Sequence, residues 1–339
     1  MIRAGRARYG GWRMRRREFI VLAAVGATIW PLVSSAQKAP ILIGFLGSQA
    51  PPMPSDAQGN AIIQGFLDNG LVPGRDFILE PHFTNGLNDR FETLAKELAL
   101  KGARVILSNN PAAVRAVQRL DPPMPVVMTN MNDPVGNGLI ISLAHPGNRT
   151  TGTASLNADV TPKLLEFVRE ILPKATVLAS LFNPSNPSNP ALVDNLIKKA
   201  APLGIKIVPF EMKSIGELDE VLAAIIALHP DALQILSDPL LSDSGDKISE
   251  VALANLIPAF STSDATVEAG GLVRYGASVR KVLRRTGYYV KKILDGANAG
   301  DLPVEQPTRL ELVINLKNAK MLGIEIPATL LNRADQVIE

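Results

Sequence analysis

The residue types that most often perform catalysis or bind metal ions are few in this chain. None of its three histidines, His82, His145 and His229, has a partner at a metal-ligand spacing. The absence of cysteine from the sequence excludes a disulfide, a thiolate metal site, a cysteine nucleophile and a lipid-modified N-terminal cysteine. Neither the G-x-S-x-G motif of hydrolases nor the G-x-x-x-x-G-K-[ST] phosphate loop occurs. We therefore predict no enzymatic activity, no metal site and no cofactor.

The N-terminal residues 1–36 have the three zones of an export signal. Arg15, Arg16 and Arg17 form a positive block, and residues 19–33 carry no charge. This uncharged run is shorter than the ~20 residues that a membrane-spanning helix needs. Small residues, Ser34 and Ala36, then precede Gln37 at the positions typical of a cleavage site. We expect cleavage between Ala36 and Gln37, which would leave the protein in the periplasm.

The sequence leaves the export route and the true start of the chain open. Residues 16–20, RREFI, resemble the twin-arginine signal, so this route competes with the general secretory one. Met14 is an alternative start, since the residues before it add arginines and little pattern. A buried N-terminal helix is the alternative to an export signal, but Pro31 would interrupt it.

Removal of this segment reverses the sign of the net charge. The whole chain has 35 basic and 32 acidic residues, a net charge of +3. Residues 1–36 contain seven of the arginines and one acid, Glu18, so the chain from Gln37 has 28 basic and 31 acidic residues. The basic character thus belongs to the export signal, and nucleic acid is not expected as a partner.

From Gln37 onward, short apolar strands alternate with amphipathic helices, which is the pattern of βαβ units and parallel sheets. Strands are predicted at 41–46, 77–83, 104–107, 125–128, 176–182, 205–210, 231–236 and 309–315. The polar extended segment TTGTAS, residues 150–155, separates two such arrays, and a helix is predicted from Ser278 to about Leu294. We predict an α/β fold of two doubly wound, Rossmann-like lobes joined by a hinge of several strands. One large open sheet is the alternative, but it would need an unusual number of strands.

The lobes are expected to exchange segments near the C-terminus. Lobe 1 would comprise residues 37–150 and about 277–308, and lobe 2 residues 151–276 and about 309–339. Two further extended segments would carry the chain back and forth between them and leave a cleft between the lobes.

Several stretches together resemble one protein family over essentially the whole chain. They are MRRREFI (14–20), IGFL (43–46), DPVGNGLI (133–140), HPGNRTTG (145–152), NPSNPSN (183–189), EAGGLVRYG (268–276), QPTRLELVINLKNAKMLGIEIP (306–327) and the final LLNRADQVIE. In these stretches the chain resembles the substrate-binding proteins of bacterial ABC import systems, in the branch with the type I periplasmic binding fold. The resemblance implies a monomer that captures a small solute by hinge closure and delivers it to a membrane permease.

Polar loops after the predicted strands are the candidate ligand-binding segments. Ligands of parallel sheets bind beyond the carboxyl ends of the strands, where helix N-termini present N–H groups to carboxylates. The turn Ser108-Asn109-Asn110 before Pro111 is the preferred acceptor-binding segment, and Asp238 or Asp264 is expected to pair with an ammonium group. Asparagine and serine at such positions are also common helix caps. The candidate residues are Ser48, Gln49, Ser108, Asn109, Asn110, Thr129, Asn130, Asp133, Asn183, Asn186, Asp238, Asp264 and Tyr275.

One segment departs from the family pattern and bears on the solute. Members often carry aromatic and charged residues before the EAGG segment, whereas residues 261–266 here read STSDAT. An aromatic wall would have to come from Phe45, Phe83, Phe182, Phe260 or Tyr275. An amino acid or a small carboxylate is the preferred solute. A periplasmic sensor that presents its solute to a membrane receptor is the main alternative to import, and an exported enzyme is a weaker one.

Overall fold

The computed structural model describes residues 39–48 and 57–339, which form two β-sheets with helices on both faces. The predicted export signal, its cleavage site and Gln49 lie outside the described residues. None of the helices in the described ranges combines the length and the apolar character needed to span a membrane.

The first sheet has five parallel strands in the spatial order β2-β1-β3-β4-β5. Its strands are β1 (Ile41–Gly47), β2 (Phe77–Phe83), β3 (Val105–Ser108), β4 (Val126–Met131) and β5 (Thr150–Ala154). The intervening helices are α1 (Ala57–Asp68), α2 (Phe91–Leu100) and α3 (Pro111–Gln118), with a 3-10 turn at Asn88–Arg90. One face buries Phe66 and Tyr289, and the other buries Phe91 and Leu98. Burial on both faces explains why these strands read as continuous apolar runs.

The second sheet has seven strands in the order β12-β11-β10-β9-β8-β6-β7, all parallel except the antiparallel β10–β11 pair. The strands are β6 (Val177–Phe182), β7 (Lys206–Glu211), β8 (Ala232–Ile235), β9 (Ala259–Ser261), β10 (Val273–Gly276), β11 (Glu311–Asn315) and β12 (Gln336–Ile338). The helices that follow β5 along the chain, of which α10 and α11 pack on the first sheet, are α4 (Asn157–Ile171), α5 (Asn189–Ala200), α6 (Leu218–Leu228), α7 (Pro239–Asp243), α8 (Gly245–Ala254), α9 (Asp264–Glu268), α10 (Val279–Arg284), α11 (Thr286–Leu294), α12 (Leu316–Met321) and α13 (Ala328–Leu331). Further 3-10 turns lie at Ala201–Leu203, Ile215–Glu217 and Ala299–Asp301. Two parallel-dominated sheets confirm the predicted α/β fold class.

The chain passes between the two sheets after β5, after β10 and before β11. Helices α10 and α11 follow the second of these passages and pack against α1 and β4 of the first sheet. The third passage follows an isolated bridge between Thr153 and Glu305. We call the first sheet with its helices, including α10 and α11, the first half, and the second sheet with its helices the second half.

Three elements differ from the sequence-based expectations. The polar segment at 150–155 does not simply separate two arrays, because Thr150–Ala154 form β5, an edge strand of the first sheet whose five residues are all buried. The pair Thr161-Pro162 has the pattern of a helix N-cap followed by proline and predicts a helix start there, but α4 begins at Asn157 and has Pro162 inside it. The helix predicted from Ser278 is divided into α10 and α11 around Arg285.

Two glycines allow the backbones of α1 and α11 to touch. A Cβ atom added to Gly287 would lie 1.9 Å from the carbonyl oxygen of Gly65, and one added to Gly65 would lie 2.0 Å from the carbonyl oxygen of Arg284. Contacts this short between backbones cannot be relieved by rotating a side chain. These glycines therefore fix α10 and α11 onto the first half.

Replacement of Gly287 by alanine is expected to lower the free energy of unfolding by about 3 kcal/mol, the upper part of the range for overpacking. Urea denaturation measures this change. Gly216→Ala is the matched control, because a Cβ there meets only the Ser214 hydroxyl at 3.8 Å. A Gly287→Ala protein as stable as this control would contradict the close packing of α1 and α11.

Candidate ligand-binding site

The carboxyl ends of strands from both sheets line one pocket. Asn109 follows β3, while Thr129 and Asn130 lie at the end of β4; Asn186 and Asp238 follow β6 and β8 of the second sheet. The other lining residues are Pro111, Asn132, Asn157, Ser188, Ser237, Pro239, Ser242, Ser263, Val279 and Leu283. The cavity measures about 50 Å³, space for a few water molecules at ~10–15 Å³ each. The pocket is therefore nearly closed in this structure.

Two polar atoms of the first half lie buried at this pocket without a hydrogen-bond partner. They are Oδ1 of Asn109 and Oγ1 of Thr129. Buried polar atoms are nearly always hydrogen-bonded, and leaving one unpaired costs about 1–3 kcal/mol. The amide oxygen of Asn109 can only accept, so a group that satisfies it must be a donor, such as an ammonium or a hydroxyl group.

Asn110, beside Asn109, caps helix α3 and is not free for a ligand. Its Oδ1 accepts hydrogen bonds from the backbone N–H groups of Ala112 at 2.8 Å and Ala113 at 3.4 Å. The hydroxyl of Ser108 donates to the carbonyl oxygen of Leu46 at 2.8 Å. The turn before Pro111, which is the preferred acceptor-binding segment by sequence, therefore does not offer these two N–H groups to a solute, because the side chain of Asn110 already occupies them.

Asp238 is the ionisable residue among the described lining residues, and it is 2% exposed. Its Oδ1 accepts from the backbone N–H of Leu240 at 3.0 Å and from Nδ2 of Asn183 at 3.2 Å. Its Oδ2 accepts from Nδ2 of Asn186 at 2.8 Å and from Nδ2 of Asn189 at 3.4 Å. Burial raises the pKa of Asp238, and the donated hydrogen bonds oppose that rise.

The carboxylate of Asp238 thus organises the loop between β6 and α5. The amide oxygen of Asn183 accepts from the N–H of Ser185 at 2.9 Å, and that of Asn186 accepts from the N–H of Ser188 at 3.1 Å. The motif NPSNPSN uses its asparagines to shape this loop around a single buried acid. Asp238 therefore contributes a fixed wall to the pocket and has little capacity left for an additional donor.

Hydrogen bonds join the two halves at the mouth of the pocket. Nδ2 of Asn137 donates to the hydroxyl of Ser188 at 2.9 Å, and that hydroxyl lies 3.5 Å from the carbonyl oxygen of Asn132. Nδ2 of Asn88 donates to the carbonyl oxygen of Ser185 at 2.5 Å. These contacts hold the halves in a closed arrangement.

An ion network around the buried side chain of Arg274 connects α9 to the passage between the halves. The fully buried guanidinium of Arg274 lies 2.8 Å from the carboxylate of Asp264 and 3.5 Å from that of Glu311. Lys281 of the first half lies 2.8 Å from Glu311, and Arg280 lies 2.7 Å from Glu268. Asp264 thus has a cationic partner in Arg274, whereas Asp238 is the carboxylate among the described lining residues of the pocket.

The contribution of Glu311 to the free energy of unfolding is expected to fall at low pH. The hydrogen bond from Lys281, with nearby Arg274 and Arg309, holds the pKa of Glu311 below its ordinary value of 4.5. A carboxylate whose pKa is lower in the folded state stabilises the protein above the unfolded-state pKa, and this contribution is lost as the pH falls through the folded-state pKa. Urea denaturation at pH 7 and pH 3 should show a smaller loss for Glu311→Gln than for wild type. The exposed Glu325→Gln is the control and should behave as wild type; equal losses in all three proteins would contradict the assignment.

The remaining predicted residues lie elsewhere. Ser48 is buried at the end of β1, where its hydroxyl has no partner. Asp133 accepts from the N–H of Gly136 at 2.9 Å within a turn. Tyr275 packs edge to face on Phe167 in the hydrophobic core, with ring centroids 5.0 Å apart. Of the predicted residues, Asn109, Thr129, Asn130, Asn186 and Asp238 meet at the pocket.

Several lining residues were not predicted. Asn157 and Ser188 lie at or beside the start of α4 and α5, and Val279 and Leu283 occupy neighbouring turns of α10. The apolar pair has the i, i+4 spacing that usually indicates a core face, so its sequence carries no ligand signal. Within the described part of the chain, no group of three or more histidine, cysteine, aspartate or glutamate residues could hold a metal ion.

Comparisons with known proteins give consistent results. The family model described as "ABC transporter substrate binding protein" matches residues 56–338. A tyrosine-binding protein of Clostridioides difficile is 27% identical over 261 residues, which cover 76% of this chain and 74% of that protein. The crystal structure of a conserved domain protein from Vibrio cholerae is 25% identical, with a TM-score of 0.75 over 88% of this chain and 100% of the other. The ABC domain from Streptococcus pneumonia in complex with L-Trp is 23% identical, with a TM-score of 0.74 over the same shares.

Proposed function

The chain belongs to the family of ABC transporter substrate-binding proteins, and from this membership we propose that it captures an amino acid between its two halves and delivers it to a membrane permease. Its fold is that of the type I periplasmic binding proteins. Ligands of doubly wound sheets bind beyond the carboxyl ends of the strands, which is where the pocket lies.

The main support for the proposal is that two buried polar atoms at the pocket, Oδ1 of Asn109 and Oγ1 of Thr129, have no hydrogen-bond partner. Each atom can accept a hydrogen bond from an ammonium group, and Thr129 can in turn donate to an acceptor of the solute. The family's own role and the curated relative that binds tyrosine support an amino acid as the solute.

Binding requires the halves to open and close. A cavity of about 50 Å³ with hydrogen bonds across its mouth does not admit an amino acid as it stands. The solute would enter an open form, bind polar groups of one half, and be enclosed when the second half closes. A permease then distinguishes the closed form from the open one, because only closure brings the two surfaces into a fixed relation.

We further propose that the protein acts as a monomer in the periplasm after removal of residues 1–36. The predicted export signal and the extracytoplasmic role of the family support this location. The net charge of −3 from Gln37 onward and the absence of cysteine from the sequence are compatible with it.

Thermal unfolding of the purified protein against a panel of amino acids tests the proposal. The protein is first unfolded and refolded to remove carried-over solute. A solute at 100 times its dissociation constant adds about 2.7 kcal/mol to the free energy of unfolding, a rise of a few degrees in Tm for a chain of this size. A stabilising amino acid supports capture. No shift with any amino acid, while sugars or carboxylic acids do stabilise, would contradict the proposed solute class.

A further inference from the structure

The side chains that line the pocket are not those that would bind an aromatic or acidic solute. Asparagine, serine and threonine side chains dominate it, and the described lining residues include no aromatic ring, lysine or arginine. Its larger apolar side chains are Val279 and Leu283, both from α10. The lining therefore offers many hydrogen bonds, little flat apolar surface and no positive charge.

The aromatic side chains that sequence analysis considered for the pocket are buried in a hydrophobic core or, for Phe83 and Tyr275, half-buried against one. Phe45 packs with Phe83, at a ring separation of 6.1 Å, in the core that α1 covers. Phe182 lies among Leu192, Val193 and Leu236. The last two, Phe260 and Tyr275, belong to the core beneath α4. Moving any of these rings to a ligand would leave a cavity in its core, which typically costs about 3–5 kcal/mol for a phenylalanine.

The chain segment next to Ser48 does not alter this composition. Residues 49–56 read QAPPMPSD, so by sequence they contain no aromatic, lysine or arginine residue. The two tryptophans of the sequence, Trp12 and Trp30, belong to the predicted export signal. Neither region can therefore supply the missing ring to a mature protein.

The charge of the lining also restricts the solute. An acidic side chain would meet the buried carboxylate of Asp238 with no cation among the described lining residues to compensate for it. Such an uncompensated negative charge disfavours binding strongly at low dielectric.

We infer that the solute is a small polar α-amino acid with a hydrogen-bonding side chain, and not an aromatic or acidic one. The inference rests on the proposed function and departs from the tyrosine specificity of the curated relative. The ammonium group of such a solute would donate to Asn109 and Thr129, and its short polar side chain would face the amide and hydroxyl groups of the second half.

Isothermal titration of the refolded protein with L-serine, L-asparagine, L-glutamine, L-tyrosine, L-tryptophan and L-glutamate tests the inference. We expect one of the small polar amino acids to bind at least about 10-fold more tightly than the aromatic and acidic ones, because buried polar groups discriminate against solutes that leave them unpaired. Tightest binding of L-tyrosine, L-tryptophan or L-glutamate would overturn the inference and leave the proposed capture of an amino acid intact. Heat changes with none of these or any other amino acid would contradict the proposed function itself, and the inference with it.

Discussion

Replacement of Asp238 by alanine is expected to lower the free energy of unfolding by about 3 kcal/mol or more and to weaken solute binding at the same time. The substitution leaves the amides of Asn183 and Asn186 and the N–H of Leu240 buried without their acceptor, while Asn189 keeps the carbonyl oxygen of Asn183 at 3.1 Å. Each unsatisfied buried donor costs about 1–3 kcal/mol, less what rearrangement recovers. Because these asparagines shape the loop after β6, the wall of the pocket in the second half is expected to lose its form as well.

Urea denaturation and solute titration measure the two effects. Asp238→Asn keeps one acceptor oxygen and should lose less stability than Asp238→Ala. The exposed Asp194→Ala is the matched control, and its stability should lie within about 0.5 kcal/mol of wild type. An Asp238→Ala protein with wild-type stability would show that the carboxylate does not organise this loop.

Replacement of Asn109 by alanine, or of Thr129 by valine, is expected to weaken solute binding by about 10-fold to 100-fold each, the effect of losing one hydrogen bond to a charged group. Stability without solute should stay the same or rise, because each substitution removes a buried polar atom that has no partner in the closed protein. Weaker solute binding without a loss of stability distinguishes a ligand-binding role from a structural one.

Solute titration and urea denaturation of the same variants provide the comparison. Asn255→Ala is the matched control, since Asn255 is exposed and its side chain contacts only the nearby carbonyl of Val251 at 2.8 Å. Unchanged affinity in both Asn109→Ala and Thr129→Val would contradict the assignment of these atoms to the solute.

The sequence predicted the sheets well because apolar strands buried on both faces leave a strong local pattern. Strand β2 was predicted with the bounds Phe77–Phe83 that the structure has. Strand β5 was not recognised as part of a sheet, because threonine and glycine at 150–154 lack the apolar pattern. The structure accounts for the glycine at 152, because a Cβ there would lie 2.1 Å from the carbonyl oxygen of Met128, where the register between β4 and β5 shifts.

The site was predicted less well than the fold, because a residue type does not reveal what already occupies its hydrogen bonds. Asn109 and Asn110 are adjacent and identical in type. Oδ1 of Asn109 lies at the pocket without a hydrogen-bond partner, whereas Oδ1 of Asn110 caps α3. The acids at 238 and 264 look equivalent in sequence, and only the fold places Arg274 beside the second. Tyr275 lies in the core because alternate residues of β10 face opposite sides of the sheet.

Enclosure of a solute between the halves is tested most directly by chemical crosslinking from one half to the other. Since the natural sequence has no cysteine, Asn88→Cys with Ser185→Cys introduces one unique pair where the two halves meet. The pair Glu92→Cys with Arg119→Cys lies within the first half and serves as the control. With a short bismaleimide and refolded protein, we expect faster crosslinking of the 88–185 pair when a stabilising amino acid is present, and an unchanged rate for the control pair. An 88–185 rate that does not respond to a solute shown by titration to bind would contradict closure.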